Sequence, residues 1–574
     1  MTEIHMTDNA EARTETEEPT RTNSDPDLSA ITADRRTVLE AVGLAGLAAL
    51  AGSGTAAAQE ATVPTAGKAI TNSSQEIPAG DQWTDLQYDT AAFSTGSFDV
   101  ENDYFVAPED GLYAVTVTNE VDELPDGARC HSAIAVNGDR VVAETVTGTA
   151  GLDVSTVVSA VVSLSKGARV KSQMRHSADA PLSLDSGPQK ANLAVVRTSP
   201  GTGGGLRRES EHSVPGDESW TPVEFDTAAF DTGDIVDTED GTLAAPSDGL
   251  YVLGATVRFD SAGDGSRYTG GITVNGDAGD SVVASETSLG SSDGAVVSAH
   301  ATTVEQLSEG DEIGATVRQN GGESATIGTS GAGTALFAAR LGDVDGQPAV
   351  RAYLSGDPDT ALANSWYPPK WDAASFTSGG IEVTQPGSAG ETPDGEPGYI
   401  TLSEAGYYLI GMNVEVNDVP DRARIVTQLR NGTGYQDGIA RNGTVGVDGN
   451  TFSNHVATVE QVQEGDTIGA TVWTDKPGDF TLNGGETTSY VYAVKLGNVP
   501  EGPTATLTPM PTPADPTPTP TETATQNTGG PSGDTPTETT GSSGPGFGMV
   551  AALSGLGTLG AARAVRNRLT DEEE

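Results

Sequence analysis

Phe105-Val-Ala-Pro-Glu-Asp-Gly111-Leu-Tyr113, Leu243-Ala-Ala-Pro-Ser-Asp-Gly249-Leu-Tyr251 and Ile400-Thr-Leu-Ser-Glu-Ala-Gly406-Tyr-Tyr408 are three copies of one pattern: a large apolar residue, five positions, a glycine, one position and a tyrosine. A second echo precedes each copy, in Tyr88-Asp-Thr-Ala-Ala-Phe93, Phe225-Asp-Thr-Ala-Ala-Phe230 and Trp371-Asp-Ala-Ala-Ser-Phe376. Each copy belongs to a repeat of roughly 135 to 150 residues, the size of a whole domain and not of a solenoid unit. Three copies of one domain point to a binding or architectural protein before an enzyme.

Within each copy the pattern is all-β. Short alternating runs such as Ala114-Val-Thr-Val-Thr118 and Val252-Leu-Gly-Ala-Thr-Val257 are separated by clusters of Gly, Asp, Asn and Pro, the signature of many short strands in a sandwich or barrel. Asn137-Gly138, Asn275-Gly276 and Asn431-Gly432 each follow a short strand and predict hairpin turns, since both positions tolerate positive φ. The stretches 303–317 and 458–472 differ only at Leu307/Val462, Ser308/Gln463 and Glu312/Thr467. They read as a strand, a tight Glu-Gly-Asp turn and a returning strand. The glycine-rich strings, Gly201 to Gly205 among them, read as turns and linkers.

The chain carries 82 acidic against 30 basic residues, a net charge of -52, with only seven lysines. Such a surface repels nucleic acid and strains its own fold by self-repulsion, which molar salt relieves by screening within about 3 Å. A haloarchaeal origin is the expectation that follows, with an acidic cation-binding protein as the alternative.

Both ends carry targeting signals. Arg35-Arg36-Thr-Val-Leu39 precedes an apolar Ala/Gly-rich run and then Ala56-Ala57-Ala58, small residues suited to a signal peptidase. The paired arginines resemble a twin-arginine leader, which exports folded proteins. At the other end Pro545-Gly546-Phe547 opens an apolar stretch to Ala562 that is followed by Arg563, Arg566 and Arg568. This resembles an archaeosortase sorting signal, which implies a lipid anchor; a plain membrane helix is the alternative. The acidic ending Asp571 to Glu574 departs from that pattern. Between repeats and anchor, alternating Thr and Pro predict an extended stalk of about 3.1 Å per residue, rich in sites for O-glycosylation. The resulting map is an acidic lead at 1–34, expected to be disordered, a signal at 35–58, repeats at 67–198, 206–342 and 349–498, the stalk at 500–544 and the sorting signal with its helix at 545–574.

Cys130, the single cysteine, excludes an intrachain disulfide and reads as a packed strand residue opposite Tyr268 of the second copy. Sequons at Asn72, Asn431 and Asn442 mark a glycoprotein, the last two placed beside expected turns.

The signature residues resemble those of the globular head of the complement first-component q family, within the tumour necrosis factor-like jelly rolls. Phe98, Phe105, Gly111 and Tyr113 match its motif of an apolar residue, an aromatic, a glycine and a tyrosine; Val236, Leu243, Gly249 and Tyr251 match it with aliphatic replacements. The third copy keeps Ile400, Gly406 and Tyr408 but carries an insertion around Gln385 to Gly398. The resemblance implies three tandem jelly-roll β-sandwiches. Heads of this type associate as trimers, so three on one chain imply an intrachain pseudo-trimer joined at Ser199 to Gly205 and at Asp343 to Pro348, with beads on a string as the competing picture. Calcium, bound by some relatives, is the one ion the resemblance allows; no spacing here identifies its ligands, and no other cofactor is expected.

No catalytic constellation is visible. The six histidines are scattered outside any His-Glu-x-x-His or Gly-x-Ser-x-Gly pattern. His300 and His455 occupy matching positions with Val157 in the first copy, which reads as an ordinary strand position. The expected function is an exported, surface-anchored binding or adhesion protein, its partner a surface glycan or protein. A structural envelope component is the alternative, and a surface-polymer hydrolase the weaker third.

Overall fold

The computed structural model describes residues 65–499, apart from short internal segments at 96–97, 100–102, 149–150, 199–200, 277–278, 291–293, 329–331, 357–365, 385–397, 433–437, 447–448 and 477–480. The leader residues Arg35, Arg36, Ala56 and Ala58, the stalk, and Pro545, Gly546 and Phe547 lie outside the described residues. Among those described, no helix is long and apolar enough to cross a membrane.

The signature explains itself in the strands it builds. Phe105, Leu243 and Ile400 are fully buried. Each glycine begins a long strand (Gly111–Leu124, Gly249–Ala262, Gly406–Val419), and the tyrosine two residues on turns its hydroxyl back to donate to the carbonyl four residues earlier. Tyr113 bonds Glu109 at 2.9 Å, Tyr251 bonds Ser247 at 2.8 Å and Tyr408 bonds Glu404 at 3.0 Å. The glycine leaves room for a basic side chain from the last strand. A Cβ at Gly111 would sit 2.8 Å from Arg197 Nε, at Gly249 2.8 Å from Arg340 Nε, and at Gly406 2.7 Å from Lys495 Cε.

The second echo has an equally local cause. Tyr88, Phe225 and Trp371 are core residues, and the aspartate after each ties down the turn before it. Asp89 accepts the Asn72 N–H at 3.0 Å and the Ser73 hydroxyl, Asp226 accepts the Glu209 N–H at 2.9 Å, and Asp372 accepts the Ser355 N–H at 2.7 Å.

Each repeat is an antiparallel two-sheet sandwich of jelly-roll type. In the first, one sheet runs in the order Thr90–Ser94, Ala66–Ile70, Ala191–Arg197, Gly111–Leu124, Leu152–Leu164. The other runs Tyr104–Val106, Arg169–His176, Arg129–Val136, Asp139–Thr147. The chain crosses between the sheets as it proceeds, so neighbours in sequence often face each other across the core. The second and third repeats keep this order, and among the described residues no sheet mixes strands from two repeats. Cys130 lies inside the first sandwich, matched by the buried Tyr268 in the second.

Two expectations need correction. Gly203–Arg207, read as the end of a linker, is the first strand of the second repeat, paired with Ala335–Gly342 and Thr227–Thr232. Glycine is weak in strands, but here bulk is forbidden: a Cβ at Gly204 would meet Ile235 at 2.7 Å and one at Gly205 would meet the Phe230 ring at 2.5 Å. Of the three Asn-Gly pairs, only Asn137-Gly138 forms a two-residue hairpin loop with both φ positive, at 54° and 98°. The other two open longer connections, to Val282–Leu289 and Gly438–Val445.

The repeats meet in a ring. The Ala143 N–H of the first donates to the Ala332 carbonyl of the second at 2.7 Å, Ser285 of the second to Thr487 of the third at 2.9 Å, and Arg441 of the third to Gln189 of the first at 3.0 Å. Donors and acceptors occupy matching register positions in every repeat. A contact that runs in one sense and returns to its origin is a closed heterologous interface. The cores merge across it: Val157 of the first repeat packs in the core of the third.

Candidate functional site

Three matching positions, Glu144, Glu286 and Asn442, lie where the repeats converge. Each faces a backbone group of the neighbouring long strand in its own repeat. Glu144 accepts the Val157 N–H at 2.7 Å, Glu286 accepts the His300 N–H, and the Asn442 amide donates to the His455 carbonyl at 2.8 Å. His300 Nε2 reaches across to accept the Ser159 N–H of the first repeat at 3.1 Å, while its Nδ1 meets the Thr256 hydroxyl at 2.6 Å. The rings of His300 and His455 stand 5.5 Å apart, near edge-on. Beside them a cavity of about 40 Å³ is bordered by Glu144, Glu286, Asn442 and Ser453.

Burial sets the charge here. It pushes the Glu144 carboxyl up to about 8, and burial together with the Glu144 charge pushes Glu286 well up. Burial holds His300 down at about 3, and burial with the neighbouring His300 holds His455 well below the usual range. Burial thus favours the neutral form of all four groups. Among the described residues no group of three or more His, Cys, Asp or Glu is placed to hold a metal.

Away from this centre, each interface is organised around one position on the first strand of a repeat. Lys68 Nζ donates to the Ile439 carbonyl at 2.9 Å, to Thr458 Oγ1 at 3.1 Å and to Glu460. At the matching place Arg351 donates to the Val283 carbonyl at 2.7 Å and to Thr303 Oγ1 at 3.0 Å, and lies 3.2 Å from Glu305. Both cations are about 1% exposed. The third interface has Gly205 in place of the cation and Val162 in place of the acid.

Further out, Glu120 of the first repeat is held by Arg441 and Arg424 of the third and by Lys190. Burial alone would raise its carboxyl, but these three cations outweigh it and lower it. On the outer face of each second sheet stands a half-buried tryptophan at a matching position: Trp83, Trp220 and Trp366. Arg140 and Arg175 each lie 4.9 Å from Trp83, Arg318 lies 4.5 Å from Trp220, and Trp366 meets Trp473 at 6.3 Å.

The sequons fare unequally. Asn72 is exposed and Asn431 half-buried. Asn442, expected beside a turn, lies inside the strand Gly438–Val445, is 3% exposed and spends its amide on the His455 carbonyl of its own repeat, so the folded chain offers no acceptor there. Cys130 is buried, which pushes its thiol up to about 12. Sequence reading missed Glu144, Glu286, Lys68, Arg351 and the tryptophans. A basic residue in the middle of Ala349-Val-Arg351-Ala-Tyr353, and another in the apolar run Ala66–Ile70, were the available signals.

No protein-family model matches the chain, and no curated protein matches it. Among solved structures it is similar to the Eiger tumour necrosis factor of S. frugiperda, at 14% identity, covering 24% of this chain and 94% of that one with a TM-score of 0.20. It is also similar to murine APRIL at pH 5.0 (19%, 24%, 98%, TM-score 0.20) and to the globular domain of the zebrafish complement 1qA protein (13%, 24%, 97%, TM-score 0.19).

Proposed function

We propose that this chain is an exported, surface-anchored binding or adhesion protein whose head is an intrachain pseudo-trimer of three jelly-roll domains. The ring of matching backbone bonds from Ala143, Ser285 and Arg441 supports the head. Placing three domains on one chain replaces a concentration-dependent association by a high effective concentration and removes much of its entropic cost. The outer tryptophans carry the binding reading. Trp83 with its two arginines and Trp220 with Arg318 have the Trp and Arg composition of interaction hot spots, repeated at matching positions. The signal, stalk and sorting motif read in the sequence support a head outside the cell, anchored to the membrane by helix or lipid.

A glycan array and a surface-protein pull-down in molar salt, with the native chain and a Trp83→Ala/Trp220→Ala variant, test this. The expected result is a ligand retained by the native chain and lost by the variant. Binding that ignores both tryptophans, or self-crosslinks alone on intact cells, would move the assignment to an envelope building block.

A further inference from the structure

The three interfaces follow one plan with one omission. Two of them fill the same space with a buried cation and a largely buried acid, Lys68 with Glu460 and Arg351 with Glu305. In the third, both members are gone together, replaced by Gly205 and Val162. Loss of only one would have stranded a buried charge, so the paired loss leaves the space uncharged. It is not refilled. A cavity of about 140 Å³ remains, walled by Val141, Ala160 and Val162 of the first repeat and by Gly205, Phe230 and Phe337 of the second. Arg207 and Ser163 also border it, and neither is fully buried, so it opens to solvent on their side.

We infer that this cavity is a binding site for a compact, uncharged apolar molecule of about benzene size. Cavities of roughly 150 Å³ lined by aliphatic and aromatic side chains take up benzene or xenon, and the inner walls here, Val141, Ala160, Val162, Phe230 and Phe337, are of that kind. Apart from Arg207 at its open side, the walls of this cavity offer a ligand dispersion contacts and no charge. The site is single because the equivalent volumes at the other two interfaces hold the stems and head groups of Lys68 and Arg351.

Xenon-pressurised crystals of the intact protein, and its melting temperature with and without saturating benzene, test the inference. Xenon is expected between Val162 and Phe337, with none beside Lys68 or Arg351, and benzene is expected to raise the melting temperature. Val162→Phe places a ring in the cavity and should abolish both effects. Ordered water in this volume, no xenon in the native crystals, or a benzene shift that persists in Val162→Phe would overturn the assignment. Should Val162→Phe fail to fold, the native crystals decide alone.

Discussion

Arg351 of the third repeat lies 3.2 Å from Glu305 of the second and 4.6 Å above the ring of Tyr490, almost wholly out of water. Burial raises the Glu305 carboxyl and Arg351 opposes that rise. Replacing Arg351 by Met strands the acid and should cost about 3–5 kcal/mol, the price of one uncompensated buried charge. Changing Glu305 to Leu as well should restore most of it. Urea denaturation of the four members of this cycle checks the coupling; a value near zero would show that the pair holds nothing together.

Glu144 supplies a pH dependence whose sign is fixed. Its carboxyl keeps its proton to about 8 in the folded chain, against an ordinary value of 4.5. Between these values the folded state binds more protons than the unfolded one, so stability is greatest below the ordinary value and falls as pH rises through the window. The slope contributed is at most about 1.4 kcal/mol per pH unit. Glu144→Gln should flatten the profile measured by denaturation from pH 5 to 8, and an unchanged slope would assign it to other groups.

Size is exchanged between two strands that pair in every repeat. Gly254 lies in register with Phe337 and Gly411 with Tyr492, while the first repeat has Thr116 with Ala194. A Cβ on Gly254 would come 2.0 Å from the Phe337 ring. Gly254→Ala should therefore destabilise by about 1–3 kcal/mol, as overpacking does. Adding Phe337→Ala, which recreates the small partner of the first repeat, should cost less than the sum of the two single changes.

Glycopeptide mapping of the mature protein should find Asn72 modified and Asn442 bare, because Asn442 is enclosed and donates to His455. A glycan on Asn442 in folded protein would contradict its burial in the strand Gly438–Val445.

Cys130 should resist thiol reagents in the native state and react on unfolding, its thiol being buried and raised to about 12. Rapid labelling of the native chain would show that the first sandwich opens readily.

The signature strands were legible because their causes are local. The tyrosine hydroxyl returns to a carbonyl four residues back, and the aspartate after Tyr88, Phe225 or Trp371 caps a turn some 16 to 17 residues away. Gly203 to Gly205 misled because composition alone marks glycine as a linker, whereas Phe230 and Ile235, distant in sequence, require it in a strand. The matching histidines were visible as an alignment, but their convergence was not: whether His300 meets His455 depends on how two repeats dock.

By itself the sequence determined the threefold repetition, the all-β class and the position of each signature strand, since period and short-range hydrogen bonding are written within a single repeat. Only the tertiary structure decided which repeat meets which, where buried charges are matched and where both are missing. Lys68 and Glu460 are 392 residues apart, and nothing in either local stretch specifies the other. Their pairing is selected by the closure of the ring, which takes both largely out of water and sets them against each other.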